Sequence, residues 1–393
     1  MKKYYPYLIT VSHMINDSCQ SVLPALLPLF IYTYGLSLEQ AGFLILSNTA
    51  LSSLLQPLLG YLSDKINQPR LIALGVLLSA CSTGVMGFVT SYESLLVCAT
   101  LAGVGSSIFH PEGAKIMNRL GGGKKGKAMG TFAIGGSSGF AIGPLFAGSI
   151  AYTVGPHGLA AFTVVGLIIS TILFILMPRI VAHARTIDQA VATENPTLVD
   201  KPLKNYWKYF GILFVIILSQ SVNFRVINAF IPIFWTRELG TSPEQGSFAL
   251  TVFFSIGIFM TYIGGLLGDK YGPIKIIRLS LLIWLPAMFL LTEVPTFSPV
   301  IMMPVAYLLL LMIGAAKAIS YSPVIVLGQT YLAKSIGFAS GITLGVSQTI
   351  GGIIAPVVGN LADTYTLPAA MMTLVPFLVV GLGASLILKD PKN

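Results

Sequence analysis

Long apolar runs separated by short polar segments occupy almost the whole chain. A helix needs about 20 apolar residues to cross a bilayer. One stretch, from Arg179 to Lys208, is both long and polar, and we interpret it as a cytoplasmic linker. The pattern predicts an all-α integral membrane protein with twelve transmembrane helices in two six-helix halves, residues 1–178 and 208–393, joined by a linker at 179–207. The predicted spans lie near residues 7–34, 41–62, 71–90, 94–118, 128–153, 158–178, 208–235, 246–268, 275–293, 298–322, 337–360 and 367–388.

The composition also favours a membrane protein over a soluble one. Charged residues make up only 9% of the chain and hydrophobic residues 54%, whereas a soluble domain carries about 25% charged residues. A net charge of +9 would suggest nucleic-acid binding in a soluble protein. Here basic cytoplasmic loops explain the excess, and we expect no nucleic-acid partner.

The loop charges orient the chain. If the N-terminus is cytoplasmic, nineteen of the 23 lysines and arginines fall in cytoplasmic loops and ends, and only Arg237 falls in the opposite loops. Lysine and arginine accumulate on the cytoplasmic side of membrane proteins. The sequence therefore predicts a multi-pass protein with both termini in the cytoplasm.

The two halves resemble each other in sequence. The segment GYLSDK follows the second span and GLLGDK follows the eighth. Duplicated six-helix halves are typical of transporters that rock about a central site. Further equivalent positions are Pro24 and Pro232, Pro111 and Pro323, and the pairs Gly143–Pro144 and Ala355–Pro356.

These motifs carry a family resemblance. Twelve spans, a central linker and the loop GYLSDKINQPR (60–70) resemble the major facilitator superfamily. In that family the loop aspartate pairs with helix ends and a basic residue to latch the halves together. The resemblance assigns this gating role to Asp64, Lys65, Arg70, Asp269 and Lys270.

Other stretches resemble one branch, the fosmidomycin-resistance transporters. They are SHMIND (12–17), SSLLQPLLGY (52–61), GVGSSIFHPE (103–112), GGSSGFAIGPL (135–145) and ASGITLGVS (339–347). The resemblance implies a proton-driven exporter of a small organic compound in the bacterial inner membrane, without fixing the substrate.

Placing an ionisable side chain in the lipid bilayer costs free energy, so such residues inside predicted spans mark candidate functional sites. His13 and Asp17 stand at i, i+4 on span one, so they share a helix face and can touch. Asn16 should point about 100° away. We interpret His13 and Asp17 as a proton-coupling pair, and the alternative is a static polar cluster between helices.

His110 and Glu112 flank Pro111 in span four. Residues two apart do not face each other on a regular helix, but a break at Pro111, eased by Gly113, would turn both side chains toward a cavity. We assign His110 and Glu112 to proton coupling and Pro111 to gating. The alternative is an ion pair of Glu112 that closes the cytoplasmic mouth.

Arg225 and Lys317 are cations within spans of the second half. Together with the acids of the first half, they predict a bipolar cavity. Arg225 would bind an anionic substrate with its forked guanidinium, and Lys317 would bind it as a point charge. The alternative is that each neutralises an acid of the other half. The other predicted substrate-binding residues, each of which could equally join helices, are Gln20, Asn223 and Tyr321.

Span five contains GFAIGPLFAG, which resembles the G-x-x-x-G-P motif of antiporters in the superfamily. Small residues four apart let helix backbones approach closely. The motif residues Gly139, Gly143 and Pro144 therefore favour antiport, and close packing without an effect on direction is the alternative.

Enzyme chemistry is not predicted. The loop GGGKKGKA (121–128) approaches the phosphate-binding pattern G-x-x-x-x-G-K-[ST], but Ala128 supplies no hydroxyl for magnesium and no strand precedes the loop. No zinc spacing or nucleophile elbow is present. We therefore expect no catalytic residues, no metal and no cofactor.

The sequence thus predicts a proton-coupled secondary active transporter that works by alternating access. The favoured form is an antiporter of protons against a drug or small anion. The alternatives are a proton-coupled importer and, more remotely, a membrane sensor that transports nothing. The expected partners are a small-molecule substrate, protons and the lipid bilayer, and the expected assembly is a monomer.

Overall fold

The fold is described from a computed structural model that covers residues 2–66, 68–122, 125–194, 204–335, 339, 342–343 and 347–389. Apart from an isolated bridge between Asn205 and Leu332, the regular elements in these ranges are helices. The helices before the linker are α1 (Tyr5–Ala25), α2 (Leu27–Tyr34), α3 (Leu38–Ile66), α4 (Leu71–Val85), α5 (Tyr92–Gly121), α6 (Lys125–Thr153) and α7 (Ala160–Glu194). Those after it are α8 (Trp207–Arg237), α9 (Pro243–Tyr271), α10 (Pro273–Glu293), α11 (Pro299–Ile319), α12 (Tyr321–Tyr331), α13 (Ser347–Thr364), α14 (Leu367–Met372) and α15 (Leu374–Ile387).

The helices confirm the all-α membrane fold. Eight helical segments in the described ranges are long and apolar enough to cross a bilayer, and the bent pair α1 and α2 makes a ninth. The other three predicted spans overlap α3, α4 and α13. The fold is consistent with twelve spans, and that count stays a prediction.

The outer surface is apolar where a soluble protein would be charged. Helix α7, for example, exposes Val164, Leu167, Ile168, Phe174 and Ile175. A continuous apolar face of this kind would be unstable in water. These side chains therefore face lipid, and the protein crosses the membrane several times.

Pro28 explains why the first span is bent. Pro28, near the start of α2, has no N–H to donate to the carbonyl of Pro24 four residues earlier. Helix α1 therefore ends at Ala25, and the axes of α1 and α2 differ by 47°. By contrast, α5 continues through Pro111 as one helix, so the chain is not interrupted there, and the kink expected at Pro111 stays a prediction. Buried neighbours on both sides, including Phe109 and Gly113, hold this helix together despite one missing hydrogen bond.

The chain divides into two compact units. The first unit contains residues 1–23 and 47–201, and the second contains 24–46 and 202–393. The first unit has an apolar core that includes Ile9, Ile72, Phe109, Phe132 and Met177. In the second unit α8 is the central helix, since it packs against α9, α13 and α15 and is buried over most of its length. The predicted half boundaries, at 178 and 208, stay a prediction.

Within the second unit, Asp363 of α13 caps the start of α3. Its two carboxylate oxygens accept hydrogen bonds from the backbone N–H groups of Leu38 and Glu39, each at 2.9 Å. Ser37 and Gln40 form reciprocal side chain–backbone bonds at the same helix end. The N–H groups that a helix start leaves without intrahelical partners are thus satisfied by residues near and far in sequence.

We expect Asp363→Ala to destabilise the protein by about 1 kcal/mol, because two helix N–H groups lose their acceptor. Thermal unfolding in detergent measures the loss. Glu244→Ala is the matched control, since Glu244 is an acid in the first turn of α9 whose helix start is capped by Ser242. Equal stability of the Asp363→Ala variant and the parent protein would contradict the capping role.

Candidate functional site

Three ionisable side chains of the first unit meet at one point. On α1, Nε2 of His13 lies 3.1 Å from Oδ2 of Asp17, so the contact predicted from the i, i+4 spacing is present. On α5, Nε2 of His110 lies 3.3 Å from Oδ1 of Asp17. The two Nε2 atoms are 3.2 Å apart. We call these residues the His–Asp–His cluster; His13 and Asp17 are buried and His110 is partly exposed.

Backbone carbonyls determine which ring nitrogens carry a hydrogen. Nδ1 of His13 lies 2.7 Å from the carbonyl oxygen of Phe132, and Nδ1 of His110 lies 2.9 Å from that of Ser106. A carbonyl only accepts, so both Nδ1 atoms donate. This tautomer is assigned from the hydrogen-bond network. In a neutral ring the Nε2 atom then has a lone pair and no hydrogen.

The cluster is therefore an arrangement of acceptors that needs a cation. Both Nε2 lone pairs and the Asp17 carboxylate point at each other, and acceptors at hydrogen-bond distance repel unless a hydrogen lies between them. One proton on either Nε2 atom supplies a hydrogen-bond donor. A second proton makes both rings imidazolium ions, so that each oxygen of Asp17 faces one of them. Histidine exchanges protons near neutral pH, which suits this task. The three groups also lie within 4.8 Å of one another, a spacing that a metal site would share.

Helix α6 covers the cluster with a glycine stripe. A Cβ atom on Gly136 would lie 2.6 Å from Cε1 of His13 and 2.7 Å from Oδ2 of Asp17. Gly139 and Gly143 face the α1 backbone so closely that a Cβ on either would collide with it. The motif that ends at Pro144 therefore packs α6 directly on α1, and its predicted effect on the direction of transport stays a prediction.

The second unit contains a pair of cations above one aromatic ring. Nζ of Lys317 lies 4.6 Å from the centre of the Phe224 ring and 4.9 Å from that of Tyr321. The guanidinium carbon of Arg225 lies 5.7 Å from the same Phe224 ring. Among the described residues neither cation forms an ion pair with a carboxylate, and Nε of Arg225 is buried without a hydrogen-bond partner. Two neighbouring positive charges of this kind favour an anionic ligand.

Sequence position relates the two sites. Asp17 lies seven residues before Pro24, and Arg225 lies seven residues before Pro232, the proline predicted to be equivalent. The two predicted halves thus carry opposite charges at positions of α1 and α8 that are equivalent if these prolines are. This signal was available from the sequence alone.

The remaining predicted site residues are placed as follows. Glu112 is buried on α5 but is not one of the three groups that meet within 4.8 Å. The amide of Gln20 donates to the carbonyl of Ala102, and that of Asn223 donates to those of Ser219 and Leu374. Both amides join helices, and their predicted roles toward substrate stay predictions.

The loop motif is described only in part. The side chains of Asp64 and Lys65 lie outside the described part of the structure. Arg70 packs over the ring of Phe174 at 4.8 Å. Asp269 and Lys270 are exposed at the end of α9. The gating role of this motif therefore stays a prediction.

Some residues at the cluster were not anticipated. Asn16 was expected to point away from Asp17, yet its amide nitrogen reaches Oδ1 of Asp17 at 3.1 Å. Phe132 stacks on the ring of His13, with ring centres 3.9 Å apart. The only sequence signal for Asn16 is its position beside Asp17 in SHMIND, and for Gly136 its place in the stripe that ends at Pro144.

Comparison with known proteins agrees with this fold. The sequence profile of the Major Facilitator Superfamily matches residues 9–356 and 212–393. The chain is 31% identical over 393 residues to the MFS-type transporter YfnC of Bacillus subtilis (strain 168), covering 99% of this chain and 94% of that one. It is 29% identical over 356 residues to the fosmidomycin resistance protein of Escherichia coli (strain K12), covering 90% and 85%.

A solved structure shows the same architecture. It is that of a bacterial homolog of the human lysosomal transporter Spinster in an inward-facing, occupied conformation, with a TM-score of 0.78 and 17% identity, and the match covers 98% of this chain and 96% of that one. The profile match, the relatives and the shared helical fold lead to one conclusion. The chain belongs to the Major Facilitator Superfamily.

Proposed function

We propose that this transporter exchanges protons for a small organic anion or zwitterion and exports that compound from the bacterial cytoplasm. The chain is a transporter of its family and not an enzyme. In this proposal it lies in the cytoplasmic membrane with both termini inside. The His–Asp–His cluster carries the proton, and Arg225 and Lys317 bind the exported compound.

The convergence of three proton acceptors carries the proposal. The carbonyls of Phe132 and Ser106 hold both histidines in the tautomer whose Nε2 faces Asp17. A site that is satisfied only with a proton, built from side chains that exchange protons near neutral pH, suits proton coupling. A static interhelical cluster would be satisfied without a titrating group, for example by an amide in place of Asp17.

The direction of transport is proposed from the relatives. The fosmidomycin resistance protein covers most of this chain, and resistance is what an exporter of the drug would confer. An importer would use the same acid and bases, because coupling between proton and substrate is reciprocal and the gradients set the direction. The measurement must therefore distinguish antiport from symport.

Proteoliposomes with an imposed pH gradient make this distinction, with labelled fosmidomycin as the probe. Antiport predicts that the compound accumulates in acid-loaded vesicles diluted into alkaline buffer, because protons leave as the compound enters. Symport predicts accumulation with the opposite gradient. A membrane sensor predicts no gradient-dependent flux in either direction.

A chelator is added in a parallel sample. Loss of proton-driven flux in that sample would assign the His–Asp–His cluster to a metal ion instead.

A further inference from the structure

The side chain of Asn16 is fully buried on α1 and makes three hydrogen bonds around the His–Asp–His cluster. Its Nδ2 donates to Oδ1 of Asp17 at 3.1 Å and to Oγ of Ser106 at 3.3 Å. Its Oδ1 accepts from the hydroxyl of Ser79 at 3.0 Å. Asn16 therefore joins α1 to α4 and α5 at the level of the cluster.

The orientation of this amide follows from its partners. A carboxylate oxygen only accepts, so the atom that faces Asp17 must be the amide nitrogen. The opposite orientation would place two acceptors, the amide oxygen and Oδ1 of Asp17, 3.1 Å apart. Both N–H groups of Asn16 and its oxygen are thus used in the one arrangement that satisfies all of them.

Asn16 reaches the cluster from two sides. Oδ1 of Asp17, which receives the bond from Asn16, is the same oxygen that faces Nε2 of His110. Ser106, the second acceptor of Asn16, also lies 3.1 Å from Nδ1 of His110. The amide of Asn16 and Nε2 of His110 therefore face the same carboxylate oxygen, Oδ1 of Asp17. The amide also contacts Ser106, which orients the His110 ring.

We propose that Asn16 is a positioning residue that sets how tightly the cluster holds its proton. The inference rests on the proposed proton-coupling function. When a proton leaves the cluster, the amide bond to Oδ1 remains and stabilises the anionic carboxylate, because a neutral donor favours the charged form. The charged groups that act on Asp17 are His13 and His110, and Cys19 is a nearby thiol on α1. In the described part of α4 and α6, the groups that face Asn16 and the His13 ring are the hydroxyl of Ser79 and the carbonyl of Phe132.

The test is the pH dependence of fosmidomycin flux through Asn16→Leu in proteoliposomes. Leucine has the same number of side-chain heavy atoms and the same branching as asparagine, and it removes both donors. The expected result is a shift of the midpoint of the pH profile to higher pH by about one unit, which corresponds to a tenfold change in proton affinity. Where the Asn16→Leu variant does not fold, Asn16→Ser gives the same readout, because its shorter side chain cannot span all three partners, and we expect a shift in the same direction.

Asn48→Leu is the matched control. Asn48 is a buried asparagine of α3 in the first unit, and its amide donates to the carbonyl of Ala99 on α5 at 3.1 Å without a bond to the cluster. Its loss should lower thermal stability and leave the midpoint of the pH profile unmoved. A folded, transporting Asn16 variant with the parent midpoint would overturn the inference. A shift of equal size in Asn48→Leu would also overturn it, because loosened packing would then be the cause.

Refutation of the role of Asn16 is distinguishable from refutation of the proposed function. If the parent protein shows no proton-driven flux, or if Asp17→Asn retains it, the cluster carries no coupling proton and the proposed function fails. If the parent is proton-driven, Asp17→Asn is not, and the Asn16 variants keep the parent midpoint, only the role of Asn16 is refuted.

Discussion

Asp17→Asn is expected to abolish accumulation of fosmidomycin driven by a pH gradient while binding of the compound remains measurable. The carboxylate is the one anionic group in the cluster, and it contacts both histidines at 3.1 and 3.3 Å. An amide of the same shape has no titrating proton. The measurement is accumulation in proteoliposomes, which should fall to the level seen when a protonophore has collapsed the gradient.

Electrostatics explains why replacing one carboxylate by an amide at Asp17 should abolish accumulation. In the parent protein the Nε2 lone pairs of His13 and His110 face a carboxylate, and a proton must enter before all groups are satisfied. The amide nitrogen that replaces one oxygen supplies a donor to a neutral imidazole directly. Both imidazoles also lose the anion that stabilises their protonated forms, so the cluster binds a proton more weakly.

Glu93→Gln is the control for the chemistry of the substitution. Glu93 is an exposed acid in the first turn of α5, so the same carboxylate-to-amide change occurs away from the cluster. We expect full proton-driven accumulation in this variant. Persistence of pH-driven transport in the Asp17→Asn variant would remove Asp17 from the mechanism, whatever the control shows.

The sequence was sufficient for those parts of the fold and site that depend on composition and on helix geometry. Apolar runs identified the membrane-spanning helices, and the i, i+4 spacing placed His13 beside Asp17. Both inferences use only the rise and the repeat of one helix. His110 was also found, since a histidine inside an apolar span is conspicuous.

The parts that depend on how helices pack were not predictable in the same way. The carbonyl of Phe132 and the close approach at Gly136 belong to α6, and their positions over His13 follow from the register of α6 against α1. The amide of Asn16 reaches Asp17 because Ser79 and Ser106 draw it to that side. The capping of α3 by Asp363 joins residues more than 300 positions apart. Helical periodicity within one segment contains no information on such contacts.

The site at Arg225 and Lys317 differs in charge from the matching position of the first repeat. If duplication alone had shaped the chain, the helix position that holds Asp17 in α1 would hold a related residue in α8. It holds Arg225 instead. In the proposed function, the repeat that contains Asp17 binds the proton and the repeat that contains Arg225 binds the anionic compound.

Arg225→Gln is therefore expected to weaken binding of organic acids much more than binding of their amides. Loss of a charged hydrogen bond corresponds to about 1.5–3 kcal/mol, or about 10- to 100-fold in affinity for the acid. Pairs of an acid and its amide have nearly the same shape, so their ratio isolates the contribution of charge. Thermal shift of the purified protein with such pairs measures the ratio, and Arg225→Lys, which keeps the charge and loses the fork, should fall between parent and Arg225→Gln.

Arg278→Gln separates charge recognition from structural loss in the same unit. Arg278 donates to the carbonyls of Ser385, Leu386 and Leu388 at the end of α15, so its removal should lower stability without changing the ratio of acid to amide binding. Equal loss of acid and amide binding in Arg225→Gln would mean that Arg225 supports the fold, as Arg278 does. A selective loss of acid binding would mean that the unpaired guanidinium is held in place for a charge that arrives with the transported compound.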